Sequence, residues 1–243
     1  KNADFTNANL GWVNFFKADL SGVDLSSASV DGVNFTSANL SGSNLKGINL
    51  GQGKLSKSNL SNANLSNANL SWANLSEAKL NGALLTGADL SNASLNSADL
   101  SEANLKESKL NHTDLSSTNL SDANLNQADL SSAKLFGASL IGADLNGANL
   151  SWASFVGANL VDANLFESKV DETDFTSANL SGSNLKGLDL QRGKLSKSNL
   201  TETILELSNL SWANLSDATL IGANLRNVNL SSAALEASNL SGS

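Results

Sequence analysis

A large apolar residue occupies every fifth position of this chain, from Phe5 to Leu240, without interruption. Of these 240/5 = 48 positions, leucine fills 41. The others are Phe5, Phe15, Phe35, Phe155, Phe175, Val30 and Val170. Buried positions recur about every 3.6 residues in a helix and every 2 in a strand, so neither element explains a period of five. A short fixed period instead predicts a repeat architecture of stacked coils.

The other positions of the five-residue unit, the pentad, are restricted as well. We number them from the apolar centre as −2, −1, +1 and +2. Position −2 is small or aliphatic and never charged, −1 is mostly Asn or Asp, and +1 is most often Ser, as in SNANLSNANLSWANL at 61–75. A large and a small side chain pointing inward from each pentad would fill a narrow tube in alternating layers. The chain has no proline, which would remove a hydrogen bond between coils.

In these pentads the chain resembles the pentapeptide-repeat family over essentially its whole length. The resemblance implies an all-β fold, a right-handed quadrilateral β-helix in which four pentads form one square coil of 20 residues. By that count residues 1–243 form one domain of about 12 coils. Phe15 should then stack on Phe35, and Phe155 on Phe175, one coil apart in the core.

A longer repeat is superimposed on the pentads. Residues 35–47 recur identically at 175–187, 53–60 at 193–200 and 69–76 at 209–216, always at an offset of 140 residues. This offset is a multiple of 20, so each residue would keep its side of the coil. The sequence therefore predicts an internal duplication that relates about 1–103 to 141–243.

Catalytic, cofactor and metal chemistry have little support in the sequence. The chain has one histidine, His112, and no cysteine or tyrosine. A tube filled by its own side chains leaves no pocket for a substrate, and aspartates at position −1 on its surface would stay solvated. We therefore expect no enzyme activity, no cofactor and no metal site.

Four tryptophans are candidate contact residues. All are at position +2, and all leave the remainder 12 on division by 20, so they should share one edge of the rod, called here the tryptophan edge: Trp12, Trp72, Trp152 and Trp212. Exposed tryptophans on one edge are suited to anchoring a partner. The alternative interpretation is that each indole merely covers the corner of the coil beneath it.

A second candidate surface lies near the middle of the chain. Five apolar residues occupy position +1, where Ser, Thr or Asn is usual, and we call them the apolar patch: Phe136, Ile141, Val156, Val161 and Phe166. Residues one coil apart should pack into a continuous exposed surface. The sequence predicts dimerisation or docking of a protein partner there; the alternative interpretation is neutral variation in a tolerant scaffold.

The charge balance narrows the remaining possibilities. The net charge is 15 − 23 = −8. Some members of the family mimic DNA and bind DNA gyrase, and this remains an alternative. However, duplex DNA as long as the rod, about 58 Å, would carry roughly 34 charges. The basic residues are too few for direct binding of nucleic acid, and no apolar run is long enough to span a membrane.

We therefore expect a non-enzymatic scaffold or protein-interaction rod, which could be a segment of a longer protein. A structural element that assembles into fibres through uncapped end coils is the alternative, because such coils expose unpaired backbone groups. The sequence does not indicate a cellular compartment.

Overall fold

The computed structural model describes residues 3–243, which form a β-helix held by pairing between successive coils. Pairing occurs at position −1, through isolated parallel bridges that join most of these residues to the one 20 positions later, beginning with Asn9 and Ser29. The N–H of Leu10 donates to the carbonyl of Ser29 at 2.8 Å, and the N–H of Ser29 donates to the carbonyl of Ala8 at 3.0 Å. Within residues 3–243 there is no helix and no strand longer than a single bridge residue.

A four-residue turn follows each centre. The N–H of Val13, for example, donates to the carbonyl of Leu10 at 3.1 Å. The third residue of the turn, position +2, has a positive φ in almost every pentad, as in a type II turn. This conformation explains why 14 of the 18 glycines occupy position +2, and why no valine, isoleucine or threonine does.

Asn and Asp at position −1 fix these turns and join the coils. The carboxylate of Asp24 accepts hydrogen bonds from the N–H of Ser26 at 2.9 Å and from its hydroxyl at 2.6 Å. This is an Asx turn, and it explains the preference for Ser or Thr at position +1. One coil later, the side-chain amide of Asn44 donates to Asp24 at 3.0 Å. The polar residues of the pentad therefore help to hold the turns and the coils together.

The core consists of the centres and the small residues at position −2. Leu100 is fully buried, as are nearly all centres away from the two ends. The predicted aromatic stacks are confirmed: the ring centroids of Phe15 and Phe35 lie 5.5 Å apart, and those of Phe155 and Phe175 lie 5.2 Å apart. Such pairs contribute about 0.5–1.5 kcal/mol beyond the burial of their area.

The backbone ladder is interrupted at two equivalent places, called here the seams. The first seam separates residues 27–33 from 46–54, and the second separates 167–173 from 186–194. Within the described residues, the N–H groups of Val30 and Gly32 and those of their counterparts Val170 and Glu172 lack the bond to the next coil.

The seams coincide with unusual core residues. Each has a small centre, Val30 or Val170, and a bulky residue at position −2 of the next coil, Ile48 or Leu188. Because position −2 normally holds Ala, the added volume forces the backbones apart locally. The Ser168 hydroxyl, at the second seam, is buried without a hydrogen-bond partner.

Replacement of Leu100 by Asp should unfold the protein, because the new carboxylate would be buried without a partner at a cost of at least about 3 kcal/mol. The matched control is Asn104→Asp, which adds the same charge at an outward position that often holds Asp. Circular dichroism during heating should show a large loss of stability for Leu100→Asp alone. Equal melting temperatures for the two variants would contradict the assignment of Leu100 to the core.

Amide hydrogen exchange should reveal the seams. The amides of Val30 and Asn49 should exchange at least about tenfold faster than those of Leu50 and Asn69, because only the latter pair donate to a neighbouring coil, at 2.7 and 2.9 Å. The second pair is the control for the first, since each pair consists of one centre and one residue at position −1. Equal protection of the two pairs, measured by NMR, would show that the ladder is continuous.

Candidate functional site

The tryptophan edge is highly exposed. Each of the four tryptophans is the third residue of its turn, and the side chains of Trp12, Trp72, Trp152 and Trp212 are 84%, 64%, 66% and 62% exposed. Each also has a positive φ, between 61° and 66°. The left-handed conformation costs a residue with a Cβ roughly 1–2 kcal/mol, so the turn itself does not favour tryptophan.

Trp12 borders a pocket that the sequence analysis missed. The pocket has a volume of about 290 Å³ and is lined by Trp12, Gly32, Val33, Gly51, Gln52 and Lys54. A Cβ on Gly32 would come within 2.7 Å of Cε3 of Trp12, so the indole lies directly against this glycine. The first seam passes beneath the pocket, where the N–H of Gly32 makes no bond to the next coil.

The glycines that form this pocket are a readable signal in the sequence. Gly51 is one of only four glycines outside position +2, and Gly32 and Gly51 lie next to one another on successive coils of the tryptophan edge. The equivalent positions in the second half of the chain hold Glu172 and Gln191. The pocket beside Trp12 therefore has no equivalent lining beside Trp152.

The residues of the apolar patch lie on three successive corners of the coil. Phe136 is 61% exposed and Ile141 40% exposed, whereas Val156, Val161 and Phe166 are half-buried. The N–H of Gly137 donates to the carbonyl of Val156 at 3.1 Å, and that of Gly142 to the carbonyl of Val161 at 2.9 Å, so each pair is stacked on adjacent coils. Between the two stacked pairs lie the polar positions −1.

Five further exposed apolar residues were missed by the sequence analysis: Phe16, Leu84, Ile204, Leu207 and Ile221. Leu207 is the most informative, because it has a positive φ of 66° and is 55% exposed. Leu207, Ile204 and Ile221 all follow the second seam in the sequence, as Trp212 does. The sequence could have revealed all five, because each of these residues replaces a polar or small residue that is usual at its position in the pentad.

The carboxylates with shifted pKa values take part in the hydrogen bonds that hold the turns and coils together. The pKa of Asp24 is lowered because the Ser26 hydroxyl and then the Ser26 N–H donate to it. Burial pushes the pKa of Asp89 upward, but hydrogen bonds from Ser91 and the charge of Lys109 hold it below its ordinary value. Both groups are therefore ionised at neutral pH, and the stability they contribute is lost as the pH falls through their lowered pKa values.

Residues 3–243 contain no cluster of three or more His, Cys, Asp or Glu side chains able to hold a metal ion. The same residues include no helix with the length and apolar character required to cross a membrane.

A β-helix built from pentads, with Asx-fixed turns and leucine centres, defines a class of repeat proteins. The model of the family described as pentapeptide repeats matches eight copies, at residues 1–22, 18–56, 43–82, 68–106, 98–135, 133–170, 171–206 and 208–243. The chain belongs to this family.

Solved structures of the family resemble the chain. HetL, a pentapeptide repeat protein involved in regulation of heterocyst differentiation in Nostoc sp. strain PCC 7120, is 33% identical over 96% of this chain and 92% of HetL, with a TM-score of 0.40. A trypsin-treated form of QnrB1, a plasmid-mediated fluoroquinolone resistance protein, is 24% identical over 78% of this chain and 86% of QnrB1, with a TM-score of 0.50. No curated protein matches the chain significantly.

Replacement of Trp152 by Gly separates the two interpretations of the tryptophan edge. If the indole serves an external contact, the melting temperature should stay the same or rise, because glycine relieves the left-handed conformation by up to about 1 kcal/mol. Glu102→Gly, at the same turn position with φ of 58°, is the control. A clear fall in melting temperature for Trp152→Gly alone would show that the indole covers the core.

Proposed function

We propose that the chain is a non-enzymatic protein-interaction rod that contacts proteins through the apolar patch and the tryptophan edge. The observation that carries this proposal is the exposure of large apolar side chains at turn positions where the pentad normally has polar or small residues. The loss of contact with water is favourable for such side chains, and solvent-exposed patches of this kind mark interaction sites.

The proposal includes the finer features of the fold. We infer one domain, residues 1–243, coiled in a right-handed quadrilateral β-helix of about 12 coils, because the bridges join residues 20 apart along the chain. The duplication of about 1–103 as 141–243 is supported by the two seams, which lie 140 residues apart at equivalent positions.

Several observations support a role other than catalysis. The interior is filled by leucine, phenylalanine and small residues, and the pocket beside Trp12 is formed by glycines, a valine and the polar side chains of Gln52 and Lys54. The lowered pKa values of Asp24 and Asp89 are opposite to those needed by a general acid. A rigid surface with outward side chains suits recognition.

Mimicry of DNA is the less favoured alternative. Lys57 and Glu77, and Lys186 and Glu206, form ion pairs across successive coils at 3.5 and 3.0 Å. Such pairs interrupt the acidic surface, and the net charge of −8 is far below that of a duplex of similar length. The similarity to QnrB1 concerns the fold, so gyrase is not proposed as the partner.

A photoreactive phenylalanine analogue at position 136 should capture the protein partner in cells of the source organism. Phe136 is strongly exposed, and a docked protein would cover it, so irradiation should give a covalent product of discrete mass. The control places the analogue at Ser76, at the same corner three coils earlier. Identical products at the two positions, or none at position 136, would contradict docking at the patch.

A further inference from the structure

The tryptophan edge has a spacing that allows a second copy of the chain to pair with it. The four tryptophans are separated by three, four and three coils, or about 14, 19 and 14 Å at the usual spacing of paired strands. The spacing of the four tryptophans is therefore the same when it is counted from either end of the chain. In an antiparallel pair with a two-fold axis at the level of His112, Trp12 would face Trp212 of the second copy, and Trp72 would face Trp152.

Duplication of two tryptophans at a fixed offset produces such a symmetric spacing automatically. The spacing therefore shows only that the two-fold arrangement is geometrically available. The residues that differ between the two halves of the chain are more informative, because duplication does not explain them. On this edge, Gly32, Gly51 and Gln52 of the first half correspond to Glu172, Gln191 and Arg192 of the second half.

These differences are complementary in the antiparallel arrangement. The coil that contains Asp31 and Gly32 would lie opposite the coil of the second copy that contains Gln191 and Arg192. The guanidinium of Arg192 would then reach the exposed carboxylate of Asp31. The glycine-lined pocket beside Trp12 lies at this level and is open to receive the side chain. Arginine binds carboxylates and stacks on indole rings, so Asp31, next to Gly32 in the chain, and the Trp12 indole both suit it, while Lys54 in the pocket wall carries the same charge.

Glu172, the other charged residue found only in the second half of this edge, would also lie near a residue of opposite charge. Glu172 would lie opposite the level of Gln52, whose neighbour Lys54 also lines the pocket. A parallel pair in register would instead place Arg192 against Arg192, Glu172 against Glu172 and Asp31 against Asp31. Facing like charges are destabilising, so the charge pattern selects the antiparallel arrangement.

The exposed tryptophans offer an area at the lower limit of that buried in stable dimers. Tryptophan side chains bury about 150 Å² or more each, so the eight indoles of two copies would contribute about 1,200 Å². Stable interfaces between proteins bury about 1,200–2,000 Å² in total, and two-fold symmetric dimers are the commonest oligomers. The residues between the tryptophans are mostly Gly, Ser and Asn, which permit close approach.

We propose that two copies of this chain pair antiparallel along the tryptophan edge, with Arg192 of each copy seated in the pocket formed by Trp12, Gly32 and Gly51 of the other. This inference rests on the proposal that the edge is a contact surface, and it names the occupant as a second copy. The apolar patch lies on the other three corners and stays free for a different partner.

Cross-linking of single-cysteine variants tests the arrangement, because the chain has no cysteine of its own. A short bismaleimide should link His112→Cys into a covalent dimer, since this position meets itself across the axis. Glu102→Cys, at the same turn position on the opposite edge, should not be linked. Gln52→Cys should also remain unlinked, because six coils, about 29 Å, would separate the two thiols, whereas a parallel pair would bring them together.

Charge reversal tests the pairing of Arg192 with Asp31. In sedimentation equilibrium, Arg192→Glu should weaken dimerisation at least about tenfold, and adding Asp31→Arg to it should restore most of the affinity. Arg226→Glu, the same change on a different corner, should have no effect. A monomer at all concentrations, linkage at Gln52→Cys or Glu102→Cys, or failure of the double variant to recover would overturn the proposal.

The two proposals fail in different ways. A monomeric purified protein that still gives a specific product from the photoreactive residue at 136 would overturn only the antiparallel pair. Normal dimerisation without any product at position 136 would contradict docking at the apolar patch and leave the pair intact.

Discussion

The hydrogen bond that the N–H of nearly every centre donates to the next coil is the interaction on which the rest of the structure depends. The donor and acceptor are 19 residues apart, as in the 2.7 Å bond from Leu100 to Asn119. Because this separation is constant, every pentad must close its turn with the same geometry, and an insertion of a single residue would shift all later centres out of the core. The strict period of the sequence is the consequence.

The turn geometry in turn determines which surfaces the rod can offer. Position +2 is left-handed and points outward, so it tolerates Gly, Asn and flexible polar residues at low cost and excludes β-branched ones. A bulky residue there stays largely exposed even where its ring lies against the next coil, as Trp12 shows. The turn conformation therefore gives no local reason for tryptophan at this position, which supports the proposal that the tryptophans contact a partner.

The sequence predicted the core because burial depends on the pentad alone. Leu100 and the stacked pair Phe155 and Phe175 lie where the period places them. The seams were not predicted, because they arise from pairs of residues in successive coils, such as Val30 and Ile48, and from a backbone response to their combined volume. The pocket beside Trp12 was missed for a related reason: it depends on what two neighbouring coils lack, namely side chains at Gly32 and Gly51.

Comparison of the two halves distinguishes what the fold requires from what the surface adds. Both halves keep the small centre, the bulky −2 residue and the following glycine of the seam, Gly53 or Gly193, where a Cβ would come within 2.7 or 2.8 Å of a backbone carbonyl oxygen. The two seams thus share the same packing of core residues. The tryptophan edge beside it differs in charge between the halves although the tryptophans are the same. The second half has Glu172 and Arg192 where the first has Gly32 and Gln52, and the proposed two-fold contact would use this difference because each half would face the other half and not itself.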